Sequence, residues 1–313
     1  MKYVMKKILM MAATLIVVSL CVFLAFNIIP GDPATRLLGT NGTAAQLEAL
    51  RQQMGLDKPL RSRYFSWLGG FLQGDLGTSY SYSIPVSGMI LGKIPITLTM
   101  ALMAFLIMII LTFSLGIYTA KHENGIADKT IMVINQIIMS IPPFFSGILL
   151  TYLFGMVLRL FTPGGFVSFD SDPVGFFGYL LLPSIAIALP KAAMAIKLFR
   201  GSLVGEVSKD YVRTAYSRGN STTDVFKNHI LKNAVIPVIT FMGMALSDMI
   251  AGSLVIEQVF GIPGMSRILL ASISDRDYPV VEAIIMIIAI IVVVINLAVD
   301  VIYRIVDPRI EEL

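Results

Sequence analysis

Residues 94 to 120 read IPITLTMALMAFLIMIILTFSLGIYTA, from Ile94 to Ala120, without one Asp, Glu, Lys or Arg. At about 1.5 Å of rise per residue, a helix of this length outreaches the roughly 30 Å hydrocarbon core of a bilayer. Two other charge-free stretches are also long enough, Ile8 to Gly31 and Thr130 to Leu158. Three more hold one or two charges: Phe176 to Ile196 across Lys191, Ile236 to Ile256 across Asp248, and Val281 to Tyr303 across Asp300, with Glu282 at its start. Lipid offers no hydrogen bonds, so each such segment must satisfy its own backbone as a helix. The expected fold class is an all-α integral membrane protein with six transmembrane helices.

Composition agrees. The 313 residues are 56% hydrophobic and only 14% charged, with a mean hydropathy of +0.80, whereas soluble domains carry about 25% charged residues. The formal charge of +4 sits in loops beside apolar runs, which marks topology rather than nucleic-acid binding. One cysteine, Cys21, excludes an internal disulfide framework and any multi-cysteine metal site. The first run is too long for a signal peptide, and no small-x-small site closes it before Pro30. Leu20 before Cys21 is too large for a lipoprotein cleavage box. The first run is therefore expected to remain as a span. The 18 methionines are scattered through the spans and are expected to serve as flexible packing.

Basic residues in short loops set orientation. Lys2, Lys6, Lys7, Lys121, Lys129, Lys197, Arg200, Lys209, Arg213, Arg218, Lys227, Lys232, Arg304 and Arg309 fall on one side, and Arg159, Arg267 and Arg276 on the other. Both termini are therefore expected to be cytoplasmic. The chain divides into residues 1–30, the first span, residues 31–95, an extracytoplasmic segment, and residues 96–313, a five-helix core with a long cytoplasmic loop at 197–235. In the outer segment, Thr43 and Gln46 form a capping box ahead of a short amphipathic helix that Gly55 ends. Tyr64 and Trp67 beyond it are candidates for packing on the membrane helices or for contact with an outer partner.

The 197–235 loop reads as two short helices with a break. The first passes through Lys209-Asp210-Tyr211-Val212-Arg213-Thr214-Ala215-Tyr216-Ser217-Arg218 and stops at Gly219-Asn220. Ser221, with Asp224 three residues on, caps the second, which continues through Val225, Phe226, His229, Ile230 and Leu231 toward Asn233-Ala234 and Pro237.

This loop resembles the coupling loop of ABC importer permeases, whose signature is Glu-Ala-Ala, three residues, Gly, nine residues, then Ile-x-Leu-Pro. Arg213-Thr214-Ala215 takes the first triplet and Gly219 falls in register. His229-Ile230-Leu231 follows, with Lys232-Asn233-Ala234 in place of the final Pro. Those departures resemble the oligopeptide/dipeptide/nickel branch. The likeness extends along the chain through Ile29-Pro30-Gly31-Asp32-Pro33, Met54-Gly55-Leu56-Asp57-Lys58-Pro59-Leu60, Gly74-Asp75-Leu76-Gly77-Thr78-Ser79 and Pro85-Val86. It resumes at Val259-Phe260-Gly261-Ile262-Pro263-Gly264-Met265, Arg276-Asp277-Tyr278-Pro279-Val280 and Asp307-Pro308-Arg309.

The resemblance implies a type I ABC importer permease fold in a bacterial inner membrane and a non-catalytic, pore-forming subunit. It implies as partners a second homologous permease, cytoplasmic ATPase subunits, an extracytoplasmic substrate-binding protein and membrane lipid. The chain has no Gly-x-x-x-x-Gly-Lys-Ser/Thr phosphate loop, so no cofactor is expected on it, and ATP and Mg belong to the partner ATPase. The coupling residues it implies are Lys209, Asp210, Tyr211, Arg213, Thr214, Ala215, Arg218, Gly219, His229 and Asn233. Among them Lys209, Arg213 and Arg218 would be polar contacts, and Tyr211, Val212 and Ala215 packing contacts.

Charges inside spans are costly and therefore face a cavity or a partner. Counted from the cytoplasmic ends, Lys191 lies roughly 10 Å deep and Asp248 roughly 18 Å, a gap that a lysine stem spans. The two are expected to pair or to line the translocation pathway, with Asn135 and Gln136 as further candidates; snorkelling of Lys191 to the interface is the alternative. Asp300 suits helix packing near the inner end of the last span. An enzyme finds little support: His122-Glu123 begins a zincin-like pattern, but Ile126 stands where the second His belongs, and His229 is alone. An ion-coupled transporter or channel would share the six spans but would not need the coupling-loop spacing. No metal site is expected. Few soft ligands are available for a bare nickel ion, so a peptide, or a metal carried as a chelate, is the expected cargo.

Overall fold

The computed structural model describes residues 2–28, 31–39 and 43–306. Ile29 and Pro30 of one motif and Asp307, Pro308 and Arg309 of another lie outside them, as do the side chains of Lys2 and Arg304. In chain order the helices are α1 (Lys2–Ile28), α2 (Pro33–Leu38), α3 (Ala44–Gln53), α4 (Leu60–Leu72), α5 (Val86–Ile90), α6 (Ile94–Lys121), α7 (Ile126–Met139) and α8 (Pro143–Leu150). They continue with α9 (Pro173–Val207), α10 (Asp210–Ser217), α11 (Thr222–Val225), α12 (Leu231–Ala234), α13 (Ile236–Phe260), α14 (Met265–Asp275) and α15 (Tyr278–Val306). A π-helical turn, Thr151–Val157, prolongs α8, and another, Phe226–Ile230, joins α11 to α12. Among the described residues the only β pairing is an isolated bridge between Thr78 and Pro85.

Five helical stretches are long and apolar enough to cross a membrane, and a bent pair makes a sixth if its two helices form one span. The uninterrupted span expected over Thr130 to Leu158 is instead two helices, α7 and α8, that meet at 104°. Pro142 and Pro143 are the cause. Proline lacks an amide hydrogen and disfavours helical geometry in the residue before it, so α7 stops at Met139. Pro143, at the first position of α8, costs nothing, because that amide would be unpaired anyway.

Two compact units divide the chain, Met1–Thr97 with Pro263–Val294, and Leu98–Ile262 with Ile295–Leu313. Of the late motifs, Arg276-Asp277-Tyr278-Pro279-Val280 thus clusters with the N-terminal segment.

In the first unit, Phe23 of α1 meets Tyr64 edge-on at 5.4 Å and stacks on Trp67 at 6.0 Å. The Tyr64 hydroxyl and Ser19 Oγ share a hydrogen bond of 2.8 Å. Tyr64 and Trp67 therefore pack against α1, one of the two roles expected of them. Thr43 and Gln46 form the anticipated capping box on α3, and Gly55 takes φ +66° just beyond that helix. Asp277, fully buried, accepts hydrogen bonds from Ser79 Oγ (2.5 Å) and from the Tyr80 and Ser81 amides (2.9 and 3.3 Å). One carboxylate thereby holds the turn between Thr78 and Pro85.

The second unit is organised on α9, which packs against α7, α8 and α13. Two-thirds of its apolar window (67%) is buried within the chain, against 17% for α1. Its small residues Ala186, Ala188, Ala192 and Ala195 are buried, which lets neighbouring backbones approach without a hydrophobic drive between helices. Glycines serve the same end. A Cβ on Gly116 would come within 2.6 Å of the Phe199 ring, and one on Gly243 would overlap the Val299 side chain.

Candidate functional site

The expected loop at 197–235 begins later than its first residue. α9 continues to Val207, 35 residues from its start and with Pro183 and Pro190 inside it, or about 52 Å at 1.5 Å each, so the span and residues 197–207 of the expected loop are one continuous helix. Residues 197–207 contain no Pro, and the helix runs through Gly201 and Gly205 to end at Ser208.

From Ser208 the chain folds back as expected. α10 is sided: Val212 and Ala215 are 1% and 5% exposed, whereas Asp210, Arg213, Thr214 and Arg218 face outward. Arg213 lies 3.9 Å from Asp210 on that exposed face. Gly219 turns the chain at φ +82°, a left-handed conformation that glycine adopts without strain. The Asn220 side-chain amide donates to the Ala215 carbonyl at 3.0 Å and closes the end of α10. Ser221 Oγ accepts from the Asp224 amide at 3.2 Å and donates to its carboxylate at 2.5 Å, so the anticipated cap is formed. Val225, Ile230 and Ala234 complete the inward face.

A polar node fastens this segment to α9. The Tyr211 hydroxyl donates to the Glu206 carboxylate and accepts from Asn233 Nδ2 at 3.0 Å. Asn233 Nδ2 also donates to the His229 carbonyl at 2.9 Å. Lys209 Nζ reaches the same Glu206 at 2.7 Å. That carboxylate holds the Lys209 ammonium above the ordinary lysine range. Burial, helped by the bond to Glu206, raises the Tyr211 phenol. Of the residues expected as packing contacts, Val212 and Ala215 are buried against their own chain and Tyr211 is half-buried, while the exposed side of α10 is polar apart from Tyr216. Glu206 was not among the expected residues. Its spacing of three from Lys209, one helical turn, was the available signal.

The intramembrane residues separate into two groups. Lys191 Nζ stands 2.6 Å from Asp248 Oδ2, with the side chains 30% and 62% exposed, so α9 and α13 bring this expected pair together. Asn135 is buried and its Nδ2 has no hydrogen-bond partner. Gln136 is exposed and accepts from Lys197 Nζ at 3.2 Å. Among the described residues no hydrogen bond links either of them to Lys191 or Asp248.

A stronger pair went unforeseen. Arg200 donates from Nε and Nη2 to the two oxygens of Asp128, each at 2.6 Å. Asp128 also accepts from the Asn124 amide at 3.0 Å. This fork joins α9 to the start of α7 and to the turn after α6. No local pattern predicts a pairing across such a sequence separation.

Two family models match the chain in succession. One, described as binding-protein-dependent transport system membrane component, N-terminal, covers residues 1–101. The other, described as binding-protein-dependent transport system inner membrane component, covers residues 112–312. The chain is 36% identical over 310 residues to the glutathione transport system permease protein GsiC of Escherichia coli K12, with 99% of each chain covered. It is 30% identical over 308 residues to a protein of Sinorhizobium fredii named "Probable peptide ABC transporter permease protein", with 98% of each covered. With its multiple apolar crossings, the chain belongs to the inner-membrane permease components of binding-protein-dependent ABC transport systems.

Proposed function

We propose that this permease forms one half of an ATP-driven import pathway for peptides, and that residues 208–235 are the seat of a cytoplasmic ATPase. The carrying observation is the two-sidedness of α10. Its exposed face presents Arg213, Thr214 and Arg218, while Tyr211 on its other side is tied to Glu206 at the end of α9 and to Asn233 beyond the Gly219 turn. A partner that moves α10 therefore pulls on a rod long enough to cross the bilayer. The basic residues that flank the spans support a cytoplasmic location for this segment and for both termini.

A second homologous permease completes the pore, and an extracytoplasmic binding protein delivers the cargo to residues on the opposite side. ATP and Mg bind the ATPase. The peptide assignment is supported by the names of the relatives, one a glutathione permease and one a peptide permease. Lys191 and Asp248 are proposed to line the pathway: an ion pair this exposed within apolar helices needs water or a second subunit to solvate it.

ATP-dependent uptake of a labelled short peptide, in vesicles carrying the co-expressed complex, tests the reading. Arg213→Ala and Gly219→Val should abolish uptake without reducing membrane insertion. Lys191→Met or Asp248→Leu should alter rate or peptide preference. Normal transport by both coupling variants, or full-rate flux through the purified chain without ATP, refutes the coupling role. Unchanged uptake in both charge variants refutes the pathway role.

A further inference from the structure

Glu282 sits one turn into α15, directly after the Arg276-Asp277-Tyr278-Pro279-Val280 motif. It is 5% exposed. Among the described residues it makes no hydrogen bond, and no basic nitrogen lies within salt-bridge reach of it. A carboxylate taken out of water without a partner is unfavourable, and none of the coupling or pathway residues explains why it is there.

What it does face is a cavity of about 390 Å³ within the first unit, whose wall also includes Lys58, Arg63, Trp67, Tyr80 and Tyr278. The opening is built, not incidental. Tyr80 is fixed by the hydrogen bond that its backbone N–H donates to buried Asp277, and its ring meets Tyr278 edge-on at 6.5 Å. Trp67 is held by its stack on Phe23. Arg63 lies over the Phe23 ring at 5.9 Å and, among the described residues, forms no ion pair. One wall thus carries a carboxylate and a guanidinium that form no salt bridge with each other, together with aromatic rings. The volume is within the range of small-molecule sites. Aromatic faces beside a carboxylate suit an ammonium group, and an unpaired guanidinium suits a carboxylate in bidentate contact.

We propose that this cavity is a binding site for a small zwitterion, a free amino acid or a very short peptide, with its ammonium on Glu282 and its carboxylate on Arg63. The site shares no residue with the proposed ATPase seat or with the Lys191–Asp248 pair. It stands beside the proposed import of peptides and does not rest on it, because binding to the isolated permease can fail while ATP-driven uptake persists, and the reverse.

Trp67 is the only tryptophan in the chain, so its fluorescence reports on this wall alone. The full-length permease is placed in nanodiscs of phosphatidylglycerol, a lipid without an ammonium group. It is titrated with alanine, Ala-Ala, N-acetyl-Ala-Ala and Ala-Ala amide. A saturable change in Trp67 emission is expected with alanine or Ala-Ala, and which of the two binds tighter names the source. Blocking the amine should weaken binding at least tenfold. Glu282→Gln, nearly the same shape, should do likewise while keeping the unliganded emission and melting temperature of the wild type. Arg63→Gln should weaken Ala-Ala but leave Ala-Ala amide unaffected. No response to either zwitterion, equal binding of the acetylated peptide, or undiminished binding by Glu282→Gln overturns the proposal.

Discussion

Replacing Tyr211 by Phe removes one oxygen and leaves the ring in place, which makes it the sharpest probe of how residues 208–235 are joined to α9. Two hydrogen bonds disappear, one to the Glu206 carboxylate and one from Asn233. A neutral bond contributes about 1 kcal/mol and one to a charged group about 1.5–3 kcal/mol. Both former partners keep a second contact: Glu206 retains Lys209 at 2.7 Å, and Asn233 retains the His229 carbonyl at 2.9 Å. Neither is left orphaned, and the half-exposed site lets water replace part of the loss, so the net cost is about 2 kcal/mol. At about 1.4 kcal/mol per tenfold, the open state of this segment should become roughly 30-fold more populated. Native-state hydrogen exchange on the purified permease reads this directly, because local opening is measured against the rest of the fold. Amides of α10 should exchange about 30-fold faster, and those in the middle of α9 should not change. Asn233→Ala, which removes the neutral bond to Tyr211 together with the local bond to the His229 carbonyl but spares Glu206, should accelerate α10 by only about fivefold, because just the first of these ties α10 down. A change below threefold in Tyr211→Phe, or an equal acceleration in α9, would show that the node does not hold the segment to its rod.

Asp128→Ala should lower global stability by about 3 kcal/mol, because it leaves Arg200 without its forked partner; the double variant Asp128→Leu with Arg200→Met should recover most of that in thermal unfolding, and additive losses would deny the coupling. At Gly219 a Cβ meets nothing within 4 Å, so Gly219→Ala should cost only the left-handed strain of about 1–2 kcal/mol, and Gly219→Asn less, as read from exchange in α10 and α11. Burial, with the Glu282 carboxylate adding to it, pushes the Tyr80 phenol up to about 12 from an ordinary 10.0. The folded state thus favours protonated Tyr80, a stabilisation fully present below pH 10 and lost as pH rises through about 12. The difference in absorbance titration at 295 nm between wild type and Tyr80→Phe should therefore show its step near 12; a step near 10 refutes the burial.

Membrane class, the approximate number of crossings and the two-helix form of residues 208–235 were legible in the sequence, because each depends on a local property. Transfer of an apolar helix into lipid is summed over about 20 neighbouring residues. Thr43, Gly55, Ser221 and Gly219 act on the backbone within four residues of themselves. Even the break in α7–α8 was written in Pro142 and Pro143, although the length of the apolar run concealed it. The tertiary structure alone decided what these local pieces do to one another. It extended α9 to Val207, turned Val212 and Ala215 inward, and set Tyr211 between Glu206 and Asn233. It also joined Asp128 to Arg200, seated Asp277 under the Ser79 turn, and left Glu282 facing a cavity. Such pairings are fixed by how helices pack. A side chain's partner far along the chain is chosen by the geometry of the assembled fold, and that geometry has no periodicity from which it can be read in advance.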